Sequence, residues 1–318
     1  EGIAFAPSYN WLLPAIVLTG IGGGIINGGT NAVVAEISEE GRSAGLSLLG
    51  VFFGIGAVGV PLMLAMLLGR FSYSTLLGAA TLTLLLPITL TVATTFPPPK
   101  QPQGFPIRRA AALVREPLLW LLGLMLFLES GMENTVGGWT STYFKENLAL
   151  QGQQALLVLA LFPLGMTVMR LVLGTALKDV KPARLLTGCI ALAIAGSVLL
   201  LASGTTAPAA LGIFVLGAGL AAGFPVILSF VGDRYAALTG TAFSFVLVLA
   251  LVGGSIFPGA TGALGQRYGL RASLAAVPIA LLLQLALLAL VLRSLRRPRS
   301  AGAAPDDVAS AEAAYHNL

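Results

Sequence analysis

The chain has 318 residues, of which only 10% are charged and 56% are hydrophobic, and its mean hydropathy is +0.90. Ordinary soluble domains carry about 25% charged residues, so this composition excludes a soluble protein and indicates one whose solvent is lipid. A single cysteine, Cys189, and a single histidine, His316, exclude a disulfide framework and a His/Cys metal cluster. We therefore expect no cofactor.

Apolar runs long enough to cross a hydrocarbon layer of roughly 30 Å recur along the chain. Polar or turn-forming segments such as SEEGRS, PPPKQPQ and KDVKPAR separate them. Each run is therefore predicted to be a membrane-spanning helix, which makes the chain an all-α integral membrane protein. The predicted spans are 11–35, 43–68, 73–96, 117–141, 153–177, 185–203, 207–231, 238–262 and 271–293.

Two polar segments divide the chain into predicted domains. Residues 97–116 form the longest polar connection and are predicted to be a central loop. Residues 294–318 form a polar tail that is predicted to be disordered. The helices outside these segments form two predicted domains. Residues 1–96 are the remainder of an N-terminal half, and residues 117–293 are a C-terminal half of six helices.

Arginine and lysine are distributed unevenly between alternate loops. Thirteen of the 18 lie in one set of loops and the tail, whereas the opposite set holds four and Arg170 lies inside a predicted helix. Basic loops face the cytoplasm, so the first set and the tail are predicted to be cytoplasmic, in a bacterial inner membrane. The net charge of +5 follows from this topology, so the bilayer is an expected partner and nucleic acid is not. We expect a monomer.

An offset of 197 residues aligns the chain with itself without gaps. At this offset Gly20 falls on Gly217 and Glu36 falls on Asp233. Chance matching is one explanation in a sequence so rich in Gly, Ala and Leu. The other is a pair of transporter repeats, and this second explanation predicts that about three helices preceded the chain in a protein of about twelve.

Several stretches resemble the major facilitator superfamily. Residues 217–271, from GAGLAAGFPVILSFVGDRYAALTG through GGSIFPGATGALGQRYGLR, resemble its tenth and eleventh helices. GTALKDVKPARLL (174–186) resembles a degenerate copy of its glycine–acid–basic loop motif, with Asp179 present and the arginine pair absent. Residues 20–61 and ESGMENTVGGWTSTYF (129–144) resemble the fourth, fifth and seventh helices of the fucose/hexose–proton symporter branch.

The resemblance implies a major facilitator fold that is truncated at its N-terminus, with about nine helices of an original twelve. It also implies a secondary active transporter that moves a small polar, sugar-like solute with protons by alternating access. Asn27 stands where that branch carries an acid in its fourth helix, so the proton route of that branch cannot be identified in this sequence. The alternatives are a drug-type efflux antiporter and an inactive transporter fragment. An enzyme is disfavoured, since no Ser/His combination or His-rich motif is present.

Three ionisable residues lie inside predicted helices, and each needs a cavity, a partner or a proton there. Glu129 and Glu133 are four residues apart and therefore share a helix face. With Arg170, Asn134 and Trp139 they are the predicted solute and proton site. Arg170 is predicted to lie at a depth in the membrane from which it can reach Glu129 and form a salt bridge. The alternative is that Arg170 is a structural anchor near the cytoplasmic loop. Trp139 suits either stacking on a sugar or a place in the interfacial belt.

The stretch GIGGGIINGGTNAVVAE (20–36) has Ile25 where a GxGxxG nucleotide loop needs glycine. Its glycines at positions 20, 24 and 28 instead line one helix face and predict close packing against another helix. Asn27 and Asn31 share a neighbouring face and are predicted either to contact the solute or to pack against a neighbouring helix. The predicted gating and loop residues, which lie near the cytoplasmic turns, are Glu36, Asp233, Arg234 and Asp179.

Overall fold

The structure, a computed structural model, describes residues 1–38, 42–67, 70–96, 113–150, 152–177 and 179–296. Within these ranges the chain is helical and contains no β-strand, which confirms the predicted all-α fold. Most of the predicted central loop, 97–116, and most of the predicted tail, 294–318, lie outside the described residues.

Long helices follow one another along the chain and are joined by short turns. In chain order they are α1 (Tyr9–Ile37), α2 (Arg42–Leu67), α3 (Tyr73–Leu82), α4 (Leu85–Ala93), α5 (Pro117–Leu148), α6 (Gly152–Leu159), α7 (Leu161–Gly174), α8 (Pro182–Ala202), α9 (Thr206–Leu220), α10 (Gly223–Arg234), α11 (Thr239–Tyr268), α12 (Leu270–Leu274) and α13 (Ala276–Arg296). A 3₁₀ turn, Ala236–Leu238, joins α10 to α11. Proline at the first helical position starts both α5 and α8, where its missing N–H costs no hydrogen bond.

Eight helical segments of the described residues are long and apolar enough to cross a membrane. The ninth prediction, 117–141, falls on α5, which has 32 residues and is not among the eight. Its length is sufficient for a span. Its polar stretch, which contains Glu129, Glu133 and Asn134, lowers its hydropathy. The helix that is less apolar than the other eight is therefore the one that carries most of the predicted solute and proton site.

Four predicted spans are each broken by a short turn into two helices. The breaks separate α3 from α4, α6 from α7, α9 from α10 and α12 from α13. Each break begins three or four residues before a proline, namely Pro87, Pro163, Pro225 and Pro278. Proline lacks the N–H that would bond the carbonyl four residues earlier, and its ring crowds that carbonyl, so the helix loosens there.

The C-terminal helices α5–α13 pack closely against one another. α5 runs along α11, and α8 runs along α9. The N-terminal helices α1–α4 contact this group mainly through α2, which packs against α7 and α10, and through α1, which packs against α11. The contact between α2 and α7 is therefore the principal connection between the two groups of helices.

The glycine face predicted on α1 does not lie against another helix. A Cβ atom added at Gly20, Gly24 or Gly28 would have no described atom within 4 Å. The most apolar window of α1 is also entirely outside the buried part of the structure. The close packing predicted for this face is therefore not found among the described residues.

Two glycines do bring helices into close contact, at the crossing of α8 and α9. A Cβ added at Gly196 would fall on the backbone of Leu216 and 2.9 Å from the carbonyl oxygen of Gly212. A Cβ added at Gly212 would lie 2.6 Å from the backbone nitrogen of Leu200. Backbone atoms cannot move aside as a side chain can, so these positions require glycine.

The crossing of α8 and α9 makes a prediction about stability. Gly196→Ala should lower the free energy of unfolding by about 1–3 kcal/mol, because the added methyl group forces the two backbones apart. Gly188→Ala is the matched control on the same helix, since an added Cβ there meets nothing within 4 Å. It should be neutral or stabilising by up to about 1 kcal/mol through helix propensity. Thermal unfolding in detergent measures both, and equal shifts would contradict the packing.

Candidate functional site

Glu129 is buried in the middle of α5, with only 2% of its surface exposed. The amide nitrogen Nε2 of Gln284, on α13, donates a hydrogen bond to Glu129 Oε2 at 2.6 Å. The other carboxylate oxygen, Oε1, has no hydrogen-bond partner, and neither does the amide oxygen Oε1 of Gln284. The pair therefore joins α5 to α13 and leaves two buried acceptors unsatisfied.

The break between α9 and α10 lies directly against Glu129. Gly223 is the first residue of α10, and a Cβ added to it would fall on the carboxyl group of Glu129. Glycine is therefore needed at this position to let the carboxyl group approach the start of α10. The N-terminus of a helix carries partial positive charge, which makes it a favourable place for a carboxylate.

The remaining predicted residues of α5 lie further along the helix. Glu133 is partly buried and Asn134 is exposed. The Asn134 side chain bonds to its own helix, where Nδ2 donates to the carbonyl oxygen of Ser130 at 2.8 Å. Asn134 also borders Gly254 of α11. Polar groups of α5 thus follow the seam between α5 and α11.

Trp139 connects α5 to α11. Its indole Nε1 donates a hydrogen bond to the carbonyl oxygen of Pro258 at 2.8 Å, and its ring lies against Gly262. Pro258 lies inside α11, which continues through it unbroken. The indole N–H therefore holds two helices together and is not free to bind a solute.

Arg170 is buried on α7 and reaches the N-terminal helices. Its Nη1 donates to the carbonyl oxygen of Gly50, on α2, at 3.3 Å. Its Nε has no hydrogen-bond partner. Among the described residues it forms no ion pair with Glu129, the partner that its depth in the membrane allows. The structure thus places Arg170 where α7 crosses α2.

Asn27 and Asn31 bond to each other along α1. The Asn31 amide donates to the Asn27 backbone oxygen at 2.8 Å and to its side-chain oxygen at 2.9 Å. Asn31 is buried, whereas Asn27 is exposed. No hydrogen bond between either residue and α5 is found in the described part of the chain.

An ion pair links the N-terminal and C-terminal helices at one end of the bundle, which we call the Arg42 end. Arg42 Nη1, at the start of α2, pairs with Asp233 Oδ1 near the end of α10. Arg42 Nε also donates to the carbonyl oxygen of Ala35, in the last turn of α1, at 2.7 Å. Arg42 is buried, whereas the Asp233 side chain is 60% exposed.

A cavity of about 320 Å³ opens beside this ion pair. It lies between the start of α2, the turn from α7 to α8 and the end of α10. Of the predicted gating residues, Asp179 and Asp233 line it, together with Ser229 and Lys181. Glu36 and Arg234 are partly buried and do not line it.

Two residues that matter in this arrangement are not among the predicted site residues. Gln284 is a lone amide in an apolar helix, a signal that it bonds another helix, but its partner Glu129 is 155 residues away. Arg42 entered the prediction only as a topology charge, although it pairs with the predicted gating residue Asp233. Within the described ranges, no group of three or more His, Cys, Asp or Glu side chains could hold a metal ion.

The apolar helices, and the polar groups held between them, define the chain as a multi-pass integral membrane protein. The sequence model of the Major Facilitator Superfamily matches it twice, over residues 2–235 and 124–314. Since these matches cover most of the chain, the protein belongs to the Major Facilitator Superfamily. Comparison of the sequence with curated proteins finds no match.

Solved structures share this fold at low sequence identity. The transporter FucP in its outward conformation is 16% identical with a TM-score of 0.75, over 91% of this chain and 78% of that one. A crystal structure of a variant of the E. coli fucose:proton symporter FucP gives 17% identity, a TM-score of 0.75 and the same coverage. The human organic anion transporter MFSD10 (TETRAN) is 20% identical with a TM-score of 0.71, over 90% of this chain and 73% of that one.

The Arg42–Asp233 pair makes a prediction about access to the cavity. In a Cys189→Ser background, a Ser229→Cys reporter should react with a soluble thiol reagent about 1.4- to fivefold faster when Asp233→Asn is added, because a partly exposed ion pair contributes roughly 0.2–1 kcal/mol to closure. Asp179→Asn is the matched control, since Asp179 lines the same cavity but forms no ion pair among the described residues. Equal rates in the two variants would contradict a latch at this position.

Proposed function

We propose that the protein is a secondary active transporter that moves a small polar, sugar-like solute with protons by alternating access, and that it is not an enzyme. The observation that carries the proposal is α5, a long helix of this integral membrane protein that carries Glu129, Glu133 and Asn134 in its sequence, with Glu129 buried. Ionisable groups within a membrane-spanning helix are costly, and where they occur they mark solute or ion pathways.

The contacts between the N-terminal and C-terminal helices supply the moving parts of this proposal. We take 1–96 and 117–293 as the two halves of the transporter. They meet where Arg170 of α7 bonds Gly50 of α2, and where Arg42 pairs with Asp233. Each of these places has a polar contact of one or two groups that can separate and form again, and in the proposal one half rocks against the other around a site between them.

The solute is proposed to bind beside the seam between α5 and α11. Glu133 is partly exposed and Asn134 is exposed there, so both can offer hydrogen bonds to a hydroxyl-rich molecule. Asn27 and Asn31 are the proposed contribution of α1, and Trp139 supports the site by holding α5 to α11. FucP is a fucose:proton symporter and MFSD10 an organic anion transporter, which supports a small polar organic solute.

The setting of this activity follows from the arrangement of charges. We propose a bacterial inner membrane with the Arg42 end and the C-terminal tail on the cytoplasmic side, because most of the basic residues lie in these loops. In this orientation the Arg42–Asp233 pair closes the cytoplasmic end. The transporter is proposed to act as a monomer, since each chain contains its own site.

Transport by purified protein in liposomes tests this proposal. A panel of monosaccharides, small organic anions and one amphipathic cation is offered with and without an inward proton gradient. We expect at least one monosaccharide to accumulate with the gradient and to leak out when a protonophore is added. If only the amphipathic cation accumulated, and only when the proton gradient is directed outward, the efflux antiporter would be favoured instead. No uptake of any solute would contradict the proposal.

Glu133→Gln tests the site itself. Removal of the carboxylate should weaken solute counterflow or gradient-driven accumulation by at least about tenfold, since a hydrogen bond to a charged group is worth about 1.5–3 kcal/mol. Glu146→Gln is the matched control, because Glu146 lies near the end of the same helix and is exposed. If both activities were unchanged in Glu133→Gln, Glu133 would have no part in the site.

A further inference from the structure

We propose that Glu129 and Gln284 together form a proton-binding site, in which Glu129 holds a proton in this conformation and releases it when α10 moves. The sequence places Glu129 in the predicted solute and proton site, but it gives Gln284 no part there, and the pair lies inside the C-terminal helices. The inference deepens the proposed function, because it names the group that carries the coupled proton. The proton comes from water and returns to water, so no other reactant is needed.

The hydrogen-bonding groups of the pair lack one donor. Gln284 Nε2 donates to Glu129 Oε2, while Glu129 Oε1 and Gln284 Oε1 are both buried without a partner. An ionised carboxylate only accepts hydrogen bonds, so it cannot satisfy the amide oxygen. A buried acceptor that is left unsatisfied costs roughly 1–3 kcal/mol.

One proton on Glu129 Oε1 supplies the missing donor. A carboxylic acid and a primary amide can form two hydrogen bonds side by side, with the amide N–H donating to one carboxyl oxygen and the carboxyl O–H donating to the amide oxygen. The Gln284–Glu129 bond at 2.6 Å is the first of these two. The neutral acid can therefore form one more hydrogen bond with Gln284 than the carboxylate can.

The charged and titratable groups around Glu129 come from three helices. Glu133 acts on it from the same helix and disfavours a second negative charge, while Arg170 on α7 favours one. The buried thiol of Cys189, on α8, is the third titratable group near Glu129. Arg170 directs its Nη1 to the carbonyl of Gly50 and forms no ion pair with Glu129 in the described structure. From α10 the neighbour is Gly223, which carries no side chain.

Helix α10 connects the proton site to the Arg42 end. It begins at Gly223, against the carboxyl group of Glu129, and it carries Asp233 near its other end. The ten residue steps from Gly223 to Asp233 span about 15 Å at 1.5 Å per residue. A carboxylate at Glu129 is attracted to the positively polarised start of α10, whereas the neutral acid is not. Loss of the proton should therefore shift α10, and with it the ion pair between Asp233 and Arg42.

Infrared spectroscopy of the purified protein in liposomes tests this site without any solute. The carbonyl band of a protonated carboxylic acid should be present in the wild-type chain and absent in Glu129→Gln. This variant should fold, since two facing amides can form the same pair of hydrogen bonds. Gln284→Leu should keep the band but move it to higher frequency, because the hydrogen bonds to the acid are lost. Glu146→Gln, at an exposed position of α5, is the control that should leave the band unchanged.

A pH titration of the same samples decides between a transported proton and a fixed one. We expect the Glu129 band to disappear reversibly as the pH is raised while the protein stays folded. An identical spectrum in Glu129→Gln and wild type would overturn the proposal, because Glu129 would then be ionised. A band that persists at every pH would also overturn it, because the proton would never leave. Neither result depends on solute uptake, so failure of the solute panel is distinguishable from failure of this site.

Discussion

The hydrocarbon layer of a membrane offers no hydrogen-bonding partner, so a polar group that this chain places there is stabilised when it finds a partner within the protein. Glu129 bonds Gln284, and Arg170 bonds the backbone of Gly50. Because these pairs connect α5 to α13 and α7 to α2, a few polar groups determine which helices face each other. Apolar side chains alone specify helix pairing less well, because they are solvated by lipid as well as by another helix, and close packing at glycines such as Gly196 adds to the specificity.

Helix breaks add the flexibility that a moving transporter needs. Four spans loosen just ahead of a proline, and the break before Pro225 lies where Gly223 meets the carboxyl group of Glu129. The helix that starts there, α10, ends beside the ion pair between Arg42 and Asp233. A buried acid, a helix break and an inter-helix latch thus lie along one structural element, which links protonation to opening in the proposed mechanism.

The sequence predicts the fold better than it predicts the site. Long apolar runs and the resemblance of residues 217–271 lead directly to the all-α fold and to the superfamily, because both depend on local composition. The prolines that break the helices can be seen in the sequence, but Pro258 lies inside α11 without breaking it. The presence of a proline within a predicted span therefore does not by itself predict a helix break. Long-range pairing is beyond local patterns: Gln284 and Glu129 meet only because α13 packs on α5, and the bond from Trp139 to α11 likewise depends on packing.

In the proposed mechanism, the two proposed halves separate and close at the Arg42 end. Distances between spin labels measure this directly, with Ile37→Cys on α1 and Lys181→Cys before α8 in a Cys189→Ser background, since both labelled positions are exposed. We expect two distance populations in liposomes, whose ratio changes with pH and moves toward the longer distance when Asp233→Asn breaks the ion pair. A single distance that is the same at every pH and in the Asp233→Asn variant would contradict it.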